Sequence, residues 1–199
     1  MLTPSQSASA ALLVKGSRFL AECLPLPSSS STEARLLLKS QKQKHSSATH
    51  VAHAFLAGSS AQISGMSDDG EPSGTAGRPI LDVLKGSDCS NIMITVARWF
   101  GGTLLGTGGL VKAYGGAAKL AFSKTPLEQL ITKIRFTLQA DYSQYRIIKK
   151  IAGEFKLYEP EETFSTAVTL TALIAETDLK DLTRKINDAT SGKVQPLTE

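Results

Sequence analysis

The segment 91–100 constrains the fold of this chain most, because it has the pattern of a strand that is apolar on both faces. Successive side chains of a strand point to opposite faces of its sheet. One face of the segment carries Ile92, Ile94 and Val96, and the other carries Met93, Thr95, Ala97 and Trp99. A strand of this kind is buried on both faces. We therefore expect a strand in the middle of a sheet, covered on both sides.

The remainder of the first 125 residues predicts an alternation of strands and helices. Ser30 and Glu33 have the capping-box spacing that marks the start of a helix, and Pro79 fits the first turn of another. The predicted elements, after a polar leader, are a first strand at 17–24, a helix at 30–44, a strand at 50–57, a turn-rich stretch at 65–77, a helix at 80–85, a glycine-rich stretch at 101–109 and a helix at 110–122.

A second part begins at Pro126, where the pattern restarts. Strands are predicted at 130–139, 156–159, 163–173 and 194–197, and helices at 142–155 and 179–189. Their order, βαββαβ, is that of the ferredoxin-like fold, in which two helices pack on one face of an antiparallel sheet. The sequence therefore predicts an α+β protein with two domains, 1–125 and 126–199.

Charge and cysteine content restrict the class of protein. The formal net charge is +4, with +5 in residues 1–125 and −1 in residues 126–199. A basic balance of this size permits contact with phosphates or nucleic acid but does not require it. Cys23 and Cys89 are too few for a disulfide framework, and no apolar run near the N-terminus reaches the length of a membrane span. We expect a cytoplasmic protein that binds no membrane.

An acidic loop at 67–79 contains three carboxylates within four residues. Such carboxylates repel one another unless they face solvent, a cation or hydrogen-bond donors. The simplest interpretation is a solvated turn. Carboxylates also suit Mg²⁺, but the spacing of a calcium-binding loop is absent and no histidine joins them, so we expect neither a metal site nor a cofactor. The polar residues of the loop that could orient or bind a ligand are Asp68, Asp69, Glu71, Thr75 and Arg78.

A second candidate site combines Arg98 with the glycine-rich stretch. Arg98 lies where the apolar core ends, and its guanidinium requires an anion or a carboxylate there, such as one from the acidic loop. A glycine-rich turn that leads into a helix presents free N–H groups and the positive end of the helix dipole. Because the complete nucleotide-binding motifs are absent, an anion cradle and a structural turn stay open as alternatives. The candidate anion-binding residues are Arg78, Arg98, Gly101, Gly102, Gly106, Gly108, Gly109 and Lys112.

Other catalytic and metal-binding patterns are weak. His50 and His53 lie three residues apart, so on a strand they point to opposite faces, and no third ligand has suitable spacing. Cys89 lacks the sequence context of a nucleophile. His50 is retained as a candidate polar residue of the site.

Several of these segments together resemble the signature of the IMPACT/YigZ family, in its bacterial YigZ-like branch. The matching segments are Ser17-Arg18-Phe19, Ala48-Thr49-His50, 67–79, Arg98-Trp99-Phe100-Gly101-Gly102 and 106–114. The resemblance implies a first domain with the fold shared by the second domain of a small-subunit ribosomal protein and domain IV of elongation factor G. It also implies a ferredoxin-like second domain, similar to the last domain of elongation factor G, and a role linked to translation.

Three functions follow as alternatives. In the first, which leads, Arg98, Lys112 and the glycine-rich helix start bind phosphates of RNA or the ribosome, while the acidic loop orients Arg78 and Arg98. In the second, the protein is an adaptor that binds another protein in the stress regulation of translation. In the third, it is a hydrolase in which His50 and the acidic loop supply acid–base groups.

Overall fold

The computed structural model describes residues 1–26 and 31–198. The chain forms two compact units, Met1–Leu130 and Ile131–Glu199. Leu127–Gln129, just beyond the predicted domain boundary, forms a strand that pairs with Leu2–Pro4 at the N-terminus. This pairing places the segment in the first unit.

The first unit is built around an antiparallel sheet in which the spatial order of the strands differs from their order in the chain. Its elements are β1 (Leu2–Pro4), β2 (Ala8–Val14), β3 (Ser17–Pro25), α1 (Ser31–Lys44), β4 (His50–Ala57), β5 (Ile63–Ser67), α2 (Gly77–Lys85), β6 (Ile92–Trp99), α3 (Gly106–Ser123) and β7 (Leu127–Gln129). The main sheet has the order β2-β3-β6-β4-β5, and every neighbouring pair is antiparallel. The central strand predicted at 91–100 is confirmed, because β6 lies between β3 and β4.

Both faces of β6 are buried, in agreement with its sequence pattern. Ile92, Ile94 and Val96 belong to the larger core, which includes residues of α2 and α3 such as Ile80 and Tyr114. On the opposite face, a smaller core consists of Leu26, Ala34, Phe55, Ala57 and Met93. The sheet is therefore covered by α2 and α3 on one side and by α1 on the other.

The N-terminal segment before residue 17 is a strand rather than the predicted polar leader. β2 pairs with β3 from Ala8 opposite Cys23 to Val14 opposite Ser17. The two residues between the strands, Lys15 and Gly16, have φ of 46° and 82°. Two consecutive positive φ values are typical of the tight turn that joins paired strands in a hairpin. β2 contains three alanines, a residue that is depleted in strands, and this explains why its sequence does not mark it as a strand.

Predicted element limits differ at three places in the first unit, one of which is helix α2, which begins at Gly77 and not at Ile80. The turn-rich stretch predicted at 65–77 begins with the last residues of strand β5, which pairs with β4. Helix α3 begins at Gly106, four residues before the predicted start, so the second half of the glycine-rich stretch is helical. Glycine is a poor helix former, which explains why the sequence favours a loop there. The predicted cap residue Ser30 lies outside the described residues.

The second unit has the predicted element order. It comprises β8 (Lys133–Ala140), α4 (Tyr142–Ala152), β9 (Tyr158–Phe164), β10 (Val168–Ala175), α5 (Glu176–Thr190) and β11 (Leu197–Thr198). The sheet order is β11-β8-β10-β9, again antiparallel throughout. Side chains of β10 alternate between buried and half-buried, and one core joins β8 and β10 to Ile148 of α4 and Leu182 of α5.

Candidate functional site

The acidic loop and the end of β6 meet at a buried ion pair. Arg98 is 6% exposed and Glu71 is 8% exposed. The Nη1 group of Arg98 donates to Oε1 of Glu71 at 2.6 Å, and the hydroxyl of Tyr114 in α3 donates to the same oxygen at 2.7 Å. The two candidate segments of the sequence are therefore joined at one point in the fold.

Aromatic rings surround this ion pair. The guanidinium carbon of Arg98 lies 5.5 Å from the ring centroid of Phe19 and 5.6 Å from that of Phe100. Phe19 also packs edge-on against Tyr114, with 5.2 Å between ring centroids. Burial, helped by the Glu71 carboxylate, raises the pKa of the Tyr114 hydroxyl far above its usual value. The hydroxyl therefore stays protonated and acts as a hydrogen-bond donor.

One N–H donor of the Arg98 guanidinium lacks a hydrogen-bond partner within the described part of the chain. Its Nε atom is buried and has no hydrogen-bond partner among the described residues. A buried donor without a partner is costly, on the order of 1–3 kcal/mol. Arg98 also lines an open pocket of about 510 Å³.

The start of α3 forms another part of the same pocket. The helix begins at Gly106, and its N-cap residue Leu105 supplies no side-chain hydrogen bond. The first N–H groups of a helix without such a cap are free to bind an anion, which the helix dipole also favours. The lining residues of the pocket are Thr49, His50, Gly70, Glu71, Pro72, Arg98, Phe100, Leu104, Leu105, Gly106, Thr107 and Leu110.

His50 faces this pocket from β4, directly opposite Arg98 in the strand register. Its Nδ1 lies 2.7 Å from the carbonyl oxygen of Asp69. A carbonyl oxygen only accepts hydrogen bonds, so Nδ1 carries the proton and Nε2 of the neutral ring has a free lone pair. A Cβ atom at Gly70 would approach the His50 ring to 3.4 Å, and Gly70 has a φ of 87°, which favours glycine at this position.

His53 lies away from the pocket, as the spacing predicts. It pairs with Ser67 and Thr95 in the sheet and is 8% exposed. Burial, followed by the charge of Lys42, lowers the pKa of its imidazole. The two histidines therefore do not form a joint site.

Two carboxylates of the acidic loop bind backbone groups. Asp68 accepts hydrogen bonds from the N–H groups of Gly74, Ala76 and Gly77 at 2.8–2.9 Å, which caps the start of α2. Burial raises the pKa of Asp68, but these three hydrogen bonds outweigh it and lower the pKa below its usual value.

Asp69 has a similar structural role. Its Oδ2 accepts from the N–H of Val51 at 2.6 Å, and its Oδ1 pairs with Lys42 of α1. Although burial raises the pKa of Asp69, Lys42 and the Val51 N–H lower it below its usual value. Among the residues that the structure describes, no group of three or more His, Cys, Asp or Glu side chains could hold a metal ion.

Other predicted site residues lie outside the pocket. Thr75 donates to the carbonyl of Pro72 at 2.6 Å, and the Nε of Arg78 pairs with Asp82 at 2.8 Å on the surface of α2. Lys112 is exposed on α3 and does not line the pocket. Of the predicted cations, Arg98 alone lines it.

The glycines of the predicted anion cradle have different roles. A Cβ atom at Gly101 would lie 1.9 Å from the backbone of Gly16, so this glycine permits a close approach of two backbones. Gly102 has a φ of 84° and open space around it. Gly106 lines the pocket, whereas Gly108 and Gly109 follow it in the first turn of α3.

Sequence reasoning missed several pocket residues. Phe100 and Leu104 are 48% and 84% exposed, and no polar pattern marks them as part of a site. The hydroxyl of Tyr114 was not predicted either. It contacts the carboxylate of Glu71, but the two residues are 43 positions apart in the chain. Only the fold brings these groups together.

Comparison with known proteins identifies the family. Residues 15–122 match the Impact N-terminal domain, a range that contains every residue of the pocket. The chain belongs to the IMPACT family. This confirms the resemblance seen in the sequence motifs, and residues 138–193 match a domain of unknown function, DUF1949.

Relatives in the IMPACT family cover most of the chain. An IMPACT family member from Haemophilus influenzae is 35% identical over 165 residues, which is 81% of this chain and 80% of the relative. The IMPACT family member YigZ from Escherichia coli is 35% identical over 166 residues, with 82% and 81% covered. A crystal structure described as that of a hypothetical protein is 32% identical, with a TM-score of 0.77 over 100% of this chain and 96% of the other.

In the part of the chain that the structure describes, no helix is both long and apolar enough to cross a bilayer.

Proposed function

We propose that this IMPACT family protein is a translation-linked regulatory binding protein that contacts RNA, alone or on the ribosome, through the pocket at the start of α3. Membership of the family supports the link to translation. The net charge of +5 in residues 1–125 is compatible with a polyanionic partner.

The observation that carries this proposal is the buried, unpartnered Nε of Arg98. The residue Arg98 lines the same pocket as the uncapped start of α3. An arginine donor together with free N–H groups of a helix is a recurring way to bind phosphate. Contacts with phosphates position a nucleic acid and depend on salt, with little preference for sequence.

The architecture supports the finer fold assignments made from the sequence. In the second unit the strand order β11-β8-β10-β9 and two helices in one core are those expected of a ferredoxin-like domain. We assign the first unit to the fold of elongation factor G domain IV and propose a cytoplasmic location, in keeping with the free thiols of Cys23 and Cys89.

The hydrolase alternative has less support. His50 offers a free Nε2 in the pocket, but Asp68 and Asp69 are engaged with backbone groups. Glu71 is held by Arg98 and Tyr114. The acidic loop therefore has few carboxylate atoms left for acid–base chemistry.

A charge placed at the start of α3 tests the proposal. Thr107 is exposed, lines the pocket and lies in the first turn of α3. In Thr107→Glu the new carboxylate suits the helix dipole, so the fold is preserved, but it repels a phosphate. Thr107→Gln is the uncharged control of the same size.

We expect Thr107→Glu to weaken binding to short RNA, measured by fluorescence anisotropy across a salt series, by about tenfold, which corresponds to about 1.4 kcal/mol. Thr107→Gln should bind as the wild type does, and sedimentation with ribosomal subunits should follow the same order. Equal affinity and equal salt dependence for wild type and Thr107→Glu would exclude this pocket as the phosphate site.

A further inference from the structure

The pocket is more apolar than a phosphate alone requires. Phe100 and Leu104 expose 48% and 84% of their surface at its edge, and Pro72, Leu105 and Leu110 also line it. Large apolar side chains grouped around a concave site are typical of ligand pockets. A ligand that fits this pocket therefore has an apolar or flat part besides its anionic group.

The pocket is also larger than the volume that an isolated phosphate would occupy. At about 510 Å³, the pocket lies within the range of roughly 300–1,000 Å³ that is common for sites of small molecules. Its polar groups come from separate elements: the side chains of Arg98 and His50 on the sheet and the first N–H groups of α3. A small number of convergent polar groups in an apolar pocket fixes the orientation of a ligand.

The electrostatics of the pocket favour a ligand group that carries a single negative charge. Glu71 compensates Arg98 at 2.6 Å, so the remaining attraction for an anion comes mainly from the first N–H groups and the dipole of α3. A phosphodiester carries a single charge, whereas a terminal phosphate carries nearly two at neutral pH. The internal phosphate of a strand therefore matches the pocket better than a free end does.

We propose that the pocket takes up one unpaired nucleotide of an RNA strand. The phosphate lies at the start of α3 beside Arg98, and the base packs against Phe100 and Leu104. His50 Nε2 is an acceptor for an N–H group on the edge of the base. This inference rests on the proposed function and adds that the RNA is single-stranded at the site, since a paired base stays within its stack.

The test compares three ligands that carry the same number of phosphates per strand: a labelled ten-nucleotide single-stranded RNA, its duplex, and a strand in which the bases are replaced by abasic sites. Binding is measured by anisotropy at one low salt concentration. Since stacking of a base on a protein ring contributes strongly to affinity, we expect the single strand to bind about tenfold more tightly than either of the others.

Variants of the apolar edge separate the base from the phosphate. Phe100→Ala should lower the affinity for the single strand about tenfold and leave the affinity for the abasic strand nearly unchanged. Leu104→Ser should act in the same direction, and its high exposure makes loss of the fold a minor concern. Leu13→Ser is the matched control, because Leu13 is 74% exposed on β2 and does not line the pocket.

The outcomes distinguish this inference from the proposed function. Equal, salt-dependent binding of the single strand and the abasic strand would overturn base insertion and leave phosphate binding in place. Absence of binding to any of the three would overturn both. A further arm uses peptides with a free or an amidated C-terminus: binding of the free carboxylate form alone, without RNA binding, would assign the pocket to a protein ligand and overturn the inference.

Discussion

Glu71 accepts two hydrogen bonds through a single oxygen, and this makes it the residue on which the candidate site depends. Arg98 and Tyr114 both donate to its Oε1, and all three side chains are buried. An ion pair in such a place contributes little net stability, but removal of one partner leaves an isolated charge in the core.

Substitution of Arg98 should therefore destabilise the first unit strongly. We expect Arg98→Met to lower the free energy of unfolding by about 3–5 kcal/mol, because Glu71 is left buried and unpaired. The double variant Arg98→Met with Glu71→Gln has no such charge and should regain most of this loss. Urea denaturation measures both, and equal stability of the single and double variants would contradict the role assigned to Glu71.

The sequence predicts some residues of the site and not others for a physical reason. Position on a strand fixes the face of a side chain, so Arg98, His50 and His53 could be assigned to faces in advance. The partners of a carboxylate depend on which loop lies nearby in the fold. Asp68 and Asp69 were expected to orient Arg78 and Arg98, yet they bind backbone N–H groups and Lys42.

At the scale of elements, helix α2 is capped from a distance. Its N-cap residue Ala76 has no side-chain cap of its own, and the carboxylate of Asp68 receives the N–H groups of Ala76 and Gly77 instead. The acidic loop thus turns back to close the end of the helix that follows it. Residue composition alone does not reveal such a cap, because the two donors are eight and nine residues from the acceptor.

Removal of this charge should make the stability depend less on pH. We expect Asp68→Asn to lose about 1 kcal/mol at pH 7. The pKa of Asp68 is lowered from 3.8, so its contribution is present above that value and is lost as the pH falls through the folded-state pKa. The difference between wild type and variant should shrink between pH 7 and pH 2.

Urea denaturation at a series of pH values measures this effect. Asp82→Asn is the matched control, because Asp82 lies within α2 and pairs with Arg78 on the surface. A difference between wild type and Asp68→Asn that stays constant down to pH 2 would show that the cap does not require the charge.

At the scale of the molecule, the chain contains two compact units with separate cores. The element order of the second unit was predictable, because apolar periodicities mark α4, β10 and α5, whereas in the first unit the strands β1, β2, β5 and β7 were not predicted. The boundary between the units was not predictable, since the pairing of β7 with β1 joins residues that lie 123 to 127 positions apart. Pairing over such a distance leaves no pattern in the local sequence.

Truncation tests this boundary. We expect a fragment of residues 1–130 to fold, and one of residues 1–125 to be less stable by about 2 kcal/mol, because β1 loses its partner and roughly two hydrogen bonds of about 1 kcal/mol each. Unfolding by urea, followed by circular dichroism, compares the fragments. If both unfold at the same urea concentration, β7 does not contribute to the first unit.

The position of β6 between β3 and β4 also has a consequence for the order of folding. The β2–β3 and β4–β5 pairs are local hairpins, whereas β6 follows all four strands in the chain and pairs with both hairpins. During synthesis the two hairpins must wait, each with an unpaired edge, until residue 99 has left the ribosome. Exposed edges of this kind invite aggregation. The two hairpins must therefore avoid pairing with other chains until β6 is available to pair with both of them.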